Sequence, residues 1–95
     1  MSEEKKTVRK NIVGENIRQM RTRLAISQKQ LAALLNEDGL PITSCTLCKI
    51  ENGTRGITDI ELWRLAKLFH VSVDDFFENA ESYLEQCIGK DENEE

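Results

Sequence analysis

The feature that most constrains this 95-residue chain is its punctuation. Ser27, Thr43, Thr58 and Ser72 each stand just before a stretch of helical apolar spacing. Small polar residues there cap helix N-termini, because their oxygen accepts an otherwise unpaired backbone N–H. Two of them form capping boxes, Ser27 with Gln30 and Thr58 with Glu61. In a box the first side chain accepts from the amide three residues on, and the second reaches back. A chain started afresh so often can hold only short helices. Strands are disfavoured by the few β-branched runs and three phenylalanines. The reading is all-α, five or six short helices in one compact domain.

The apolar spacing places the helices. The first is expected over residues 11–24, with Val13, Ile17, Met20 and Leu24 inward. The second opens at Ser27 and buries Leu31, Leu34 and Leu35, with small Ala32 allowing close approach. Residues 36–41 read as a loop, since Gly39 and Pro41 interrupt a helix. The third helix is expected over 44–52, capped by Thr43, docked by Leu47 and Ile50, and ended by Gly53. The fourth covers about 59–69 and buries Leu62, Leu65, Ala66 and Phe69. His70 ends it, as a residue that tolerates positive φ. A short fifth helix follows Ser72 over 73–77, and a weak sixth spans about 80–88 with Leu84 and Ile88. Three parts result: a flexible basic arm (1–10), a helical domain (11–78), and a short helix with an acidic tail (79–95).

The net charge of −4 argues against a nucleic-acid partner until it is divided. Residues 1–73 carry +4 and residues 74–95 carry −8. A basic head joined to an acidic segment fits DNA binding with modest non-specific affinity. No apolar run is long enough to cross a membrane. The N-terminus has charge without the apolar stretch of a signal peptide. Three cysteines are an odd number, which points away from a disulfide framework and toward a reducing cytoplasm.

With Leu47 and Ile50 turned inward, the third helix presents Ser44, Cys45 and Lys49, with Thr46 alongside. An α-helix fits the major groove of B-DNA, where each base pair shows its own donor and acceptor pattern. Lys49 can donate to guanine, Ser44 can meet most base edges, and Cys45 can meet a thymine methyl. Spacing alone is equally compatible with an ordinary solvated face.

A family resemblance adds to this. Residues 14–77 resemble the Xre/Cro/C1-type helix-turn-helix repressors of phages and bacteria. The resemblance rests on Gly14-Glu15-Asn16-Ile17-Arg18 with Arg21, and on Ile26-Ser27-Gln28-Lys29-Gln30-Leu31-Ala32. It continues through Thr46-Leu47-Cys48-Lys49-Ile50-Glu51-Asn52-Gly53, Leu65-Ala66 with Phe69, and Val71-Ser72-Val73. It implies a lambda-repressor-like domain and a sequence-specific regulator of double-stranded DNA, most simply a repressor. It also implies roles: Ser44, Cys45 and Lys49 at base edges, and Gln28, Thr43, Thr46, Asn52 and Arg55 at phosphates. Gln28 would also brace the recognition helix. Arg21 and Glu51 match a buried ion pair joining the first and third helices. One departure is the connection 36–41, about five residues longer than the family's tight turn; it either bulges into solvent or changes how the two helices cross.

The remaining features read plainly. Cys45-x-x-Cys48 is a single pair where zinc ribbons need two, so no metal or other cofactor is expected. His70 has no nucleophile or carboxylate partner in any motif, and no phosphate loop or paired-carboxylate motif occurs, so no enzyme is expected. Adjacent aromatic and aliphatic residues cannot both be deeply buried, which assigns Trp63, Phe77 and Tyr83 to a homodimer surface. Two heads about 34–36 Å apart would match a palindromic site. A second reading makes the acidic segment a dock for a basic protein partner, as in an antitoxin.

Overall fold

The computed structural model describes residues 9–84. It contains four α-helices: α1 (Gly14–Arg23), α2 (Gln28–Glu37), α3 (Ser44–Glu51) and α4 (Asp59–Phe69). Two 3-10 turns follow, Val73–Phe77 and Ala80–Tyr83, and no strand occurs among the described residues. The expected five or six helices are therefore four α-helices and two tighter turns. Asp74 and Asp75 favour caps over helix interiors. Asp75 closes an i to i−3 bond onto the Ser72 carbonyl at 3.0 Å, and Asn79 takes φ 60° between the two turns. These features favour single 3-10 turns over an α-helix. The expected last helix reaches beyond Leu84, outside the described residues.

The caps act as the sequence indicated. Ser27 Oγ accepts from Gln30 N at 3.0 Å while Gln30 Oε1 accepts from Ser27 N at 2.7 Å. Thr58 and Glu61 repeat the box at 3.1 and 2.9 Å. His70 adopts φ 60° at the C-terminus of α4, and Gly53 φ 86° after α3. Two helix boundaries differ from expectation. Helix α1 begins at Gly14, because Asn11 stands outside it and caps it. Helix α2 runs through Glu37 into the expected loop before Gly39 turns the chain at φ 94°.

Val13, Ile17, Leu31, Leu35, Leu47, Ile50, Leu65 and Phe76 form the fully buried centre. Each such side chain contributes about 1.5–3 kcal/mol of transfer energy. Of the other residues expected inward, Met20 and Leu62 are partly buried against this centre, while Leu24 is 54% and Leu34 39% exposed. Leu24 lies at the C-cap of α1, where Ala25 turns the chain at φ 59°. The centre of α2 is already filled by Leu31 and Leu35. Of the adjacent pair Phe76 and Phe77, the first is buried against Phe69 and the second is 41% exposed.

The long connection between α2 and α3 does not bulge freely. Asn36 Nδ2 donates to the Ala32 carbonyl at 2.7 Å and the Ile42 carbonyl at 2.6 Å. Ile42 is buried, and Arg64 of α4 holds Asp38. These contacts fix where α3 starts.

Candidate nucleic-acid interface

Helix α3 is only eight residues long, too short to persist alone. Its position comes from docking. Leu47 and Ile50 are fully buried beneath it. Thr43 Oγ1 accepts from Thr46 N at 3.1 Å and donates to Thr46 Oγ1 at 3.0 Å, closing the first turn. Cys45, Cys48 and Lys49 are exposed, while Ser44 and Thr46 are half-buried. The outer edge of α3 therefore carries the three residues expected at base edges. Cys48 shares that exposure one turn after Cys45, a position the sequence reading left out.

Glu51 anchors the other side of α3. Its carboxylate accepts from Arg21 Nε at 2.7 Å and Arg21 Nη2 at 3.0 Å, a bidentate pair. The Arg21 and Glu51 side chains are 11% and 3% exposed. Arg21 Nη1 also donates to the Ile26 carbonyl, so α1, the α1–α2 turn and α3 are fastened together. The Glu51 hydrogen bonds hold the Arg21 guanidinium above the usual arginine range, against the desolvation that burial imposes. Gln28 Nε2 donates to Glu51 Oε1 at 2.9 Å. Gln28 thus ties the N-terminus of α2 to the end of α3.

Beyond α3, Asn52 Oδ1 accepts from Thr54 N at 3.2 Å and Thr54 Oγ1 at 2.9 Å, shaping an exposed loop. Arg55 pairs with Glu61 at 3.0 and 3.1 Å. Desolvation pushes the Glu61 carboxyl up, but hydrogen bonds from Arg55 and from the Thr58 backbone, with the Arg55 charge, outweigh it and hold the carboxyl below its ordinary range. Arg55 has five N–H donors. The pair with Glu61 and the bond to the Gly56 carbonyl use three of them.

Two contributors to this site were not read from sequence. Asn11 is buried and satisfied on both ends. Its Nδ2 donates to the Ile50 carbonyl at 3.0 Å and the Arg55 carbonyl at 2.8 Å. Its Oδ1 accepts from Val13 N and Gly14 N at 3.1 and 2.7 Å. One side chain therefore caps α1 and clasps the end of α3. Gly14 completes that clasp: a Cβ there would run into the Ile50 carbonyl oxygen and lie 2.9 Å from the Glu51 carbonyl oxygen. The backbone also joins the N-terminal segment here, through Lys10 N donating to the Gly53 carbonyl at 2.7 Å. Arg9 lies against Gly53 with its guanidinium 4.8 Å from the centre of the Tyr83 ring. Of the residues assigned to a dimer surface, Trp63 and Phe77 are exposed and Tyr83 is half-buried beneath Arg9.

The capped helix α2 thus braces α3, on whose outer edge Cys45, Cys48 and Lys49 are exposed. A family model described as helix-turn-helix matches residues 17–76, from the middle of α1 to the buried Phe76. The chain belongs to the Xre/Cro/C1-type helix-turn-helix family. Members of this family are DNA-binding transcription regulators, and DNA is the partner the family implies. No match to the chain is found among curated proteins or among solved structures. Among the described residues, no helix is long and apolar enough to cross a membrane.

Proposed function

We propose that the protein is a cytoplasmic, homodimeric repressor that lays α3 in the major groove of a specific operator. The observation that carries this is the mounting of α3. Leu47 and Ile50 hold its inner edge, Glu51 ties it to Arg21 and Gln28, and Cys45 and Lys49 remain uncovered. Ser44, Cys45 and Lys49 are the base-contacting residues of this reading. Lys49 is suited to guanine O6 or N7, and Cys45 to a thymine methyl. Gln28, Thr43, Thr46, Asn52 and Arg55 meet phosphates on either side. These fix register and carry no sequence information of their own. Arg55 does so with donors left over from its pair with Glu61. Trp63, Phe77 and Tyr83 supply the dimer contacts, since one eight-residue helix reads few base pairs. A dimer bound across a promoter acts most simply by covering it.

Selection of bound duplexes from a random pool tests this directly. A two-fold symmetric site with half-sites one helical turn apart is expected. Lys49→Ala is expected to relax preference at one base pair, a discrimination of about 1–3 kcal/mol. Binding that ignores sequence, or a selected site unaffected by Lys49→Ala, defeats the reading. The −8 charge on residues 74–95 favours a second role for that segment, docking a basic protein partner. Such a partner would be released by salt.

A further inference from the structure

Helix α4 has a face that neither the core nor the DNA-reading edge uses. Ile60 is 61% and Trp63 51% exposed. With Asp59, Leu62, Arg64 and Val73 they line an open groove of about 500 Å³. Ile60 and Trp63 stand side by side on this face, so a contact that covers them removes apolar surface from water. Arg64 is already held by Asp38 at 3.1 Å. The other cation of this face is Lys67, whose Nζ lies 4.8 Å from the centre of the Trp63 ring.

The charges on this face are ordered. Asp59 lies four residues before Trp63 and Lys67 four residues after it. Four residues span just over one turn, about 6 Å along the axis, so all three share one stripe. Read in one direction the stripe is acidic, aromatic, basic; read in the other it is basic, aromatic, acidic. A two-fold contact requires a surface that complements itself under that reversal. An unrelated partner makes no such demand.

We infer that α4 is the contact between two copies of this chain. The helices lie antiparallel, with the two Trp63 side chains meeting at the two-fold axis. Each Asp59 faces Lys67 of the other copy, and Ile60 packs beside the aromatic pair. The inference rests on the dimer reading above and deepens it, giving Trp63 the centre of the interface. Helix α4 has 11 residues, about 16 Å of length. Stable interfaces bury on the order of 1,200–2,000 Å² in total, so a contact of this length is at the small end. The free protein associates weakly, and the contact strengthens when two heads occupy one duplex, through effective concentration.

Charge reversal tests the arrangement on the full chain by sedimentation, with and without a selected duplex. Asp59→Lys alone opposes two lysines across the axis, and Lys67→Asp alone opposes two aspartates. Each is expected to weaken association about tenfold or more, from two pairs turned repulsive. An equimolar mixture of the two variants restores opposite charges at both positions and is expected to recover association as a heterodimer. Circular dichroism shows whether each variant keeps its helices. Trp63 is the single tryptophan of the chain, so its fluorescence gives an independent readout in the unaltered protein. Emission is expected to shift to the blue, and quenching by acrylamide to fall, as concentration rises. Association with unchanged Trp63 emission, or a mixture no better than the single variants, overturns this interface and leaves a dimer through another face. A protein that stays monomeric at all concentrations and on the duplex overturns both this interface and the dimer itself.

Discussion

Removal of the Glu51 carboxylate is the perturbation whose cost the structure specifies best. Glu51→Ala leaves the Arg21 guanidinium 11% exposed and without its bidentate acceptor. It also strips the acceptor from Gln28. Breaking one half of a buried pair costs about 3–5 kcal/mol, because the remaining charge stays buried and uncompensated. A chain of this length has roughly 5–14 kcal/mol of total stability. The substitution therefore consumes a large share of it, and the melting temperature is expected to drop by on the order of 12 °C or more. Double substitution, Arg21→Met with Glu51→Leu, removes both charges and fills the space with apolar atoms. It is expected to lie within about 1–2 kcal/mol of the native protein, because the desolvation cost of the pair disappears with it. Equilibrium unfolding in urea at pH 7 measures all three proteins. Two results refute the reasoning: a Glu51→Ala cost below about 1 kcal/mol, or a double variant that loses as much stability as Glu51→Ala.

Three further outcomes follow from the same contacts. Asn11→Ala removes a side chain that serves two carbonyls and two amides and is expected to cost about 2–4 kcal/mol; urea unfolding together with hydrogen exchange at Ile50 and Gly14 measures it. Gly14→Ala gains about 1 kcal/mol of helix propensity. It loses more by forcing α1 away from the Ile50 and Glu51 carbonyls, so the urea midpoint is expected to fall. The Arg55–Glu61 pair contributes stability at neutral pH, because the folded carboxyl ionises more readily than the unfolded one. That contribution is present above the ordinary value of 4.5 and disappears as pH falls from there through the lower folded value. The stability difference between the native protein and Glu61→Gln is therefore expected to shrink as pH falls below 4.5, as followed by urea midpoints.

Much of this architecture is legible in the sequence because caps are local. Ser27 with Gln30, Thr58 with Glu61, and Thr43 ahead of Ser44 interact over three residues, and each starts a helix where expected. The same holds for the outer edge of α3, since burial of Leu47 and Ile50 fixes which positions face outward. The resemblance supplied what spacing could not: the Arg21–Glu51 pair spans thirty residues. Asn11 was not legible because its value lies in carbonyls 39 and 44 residues away, and helical spacing places it as the first residue of the helix expected over 11–24, not as a cap outside it. Leu34 misled because helical spacing gives more apolar positions than a small core can take. The final turns misled because helical spacing does not distinguish an α-helix from a 3-10 turn over five residues. Likewise, nothing local showed that Asn36 would fasten the long connection to Ile42.

The proposed function requires the outer edge of α3 to lie against DNA. Cys45 and Cys48 are exposed on that edge and make it measurable by their reaction with N-ethylmaleimide, resolved by site with mass spectrometry. With a selected duplex at saturation, both thiols are expected to react at least tenfold more slowly than in the free protein. Alkylation of Cys45 and Cys48 at undiminished rates, with the duplex shown to be bound, would contradict the placement of α3 in the groove.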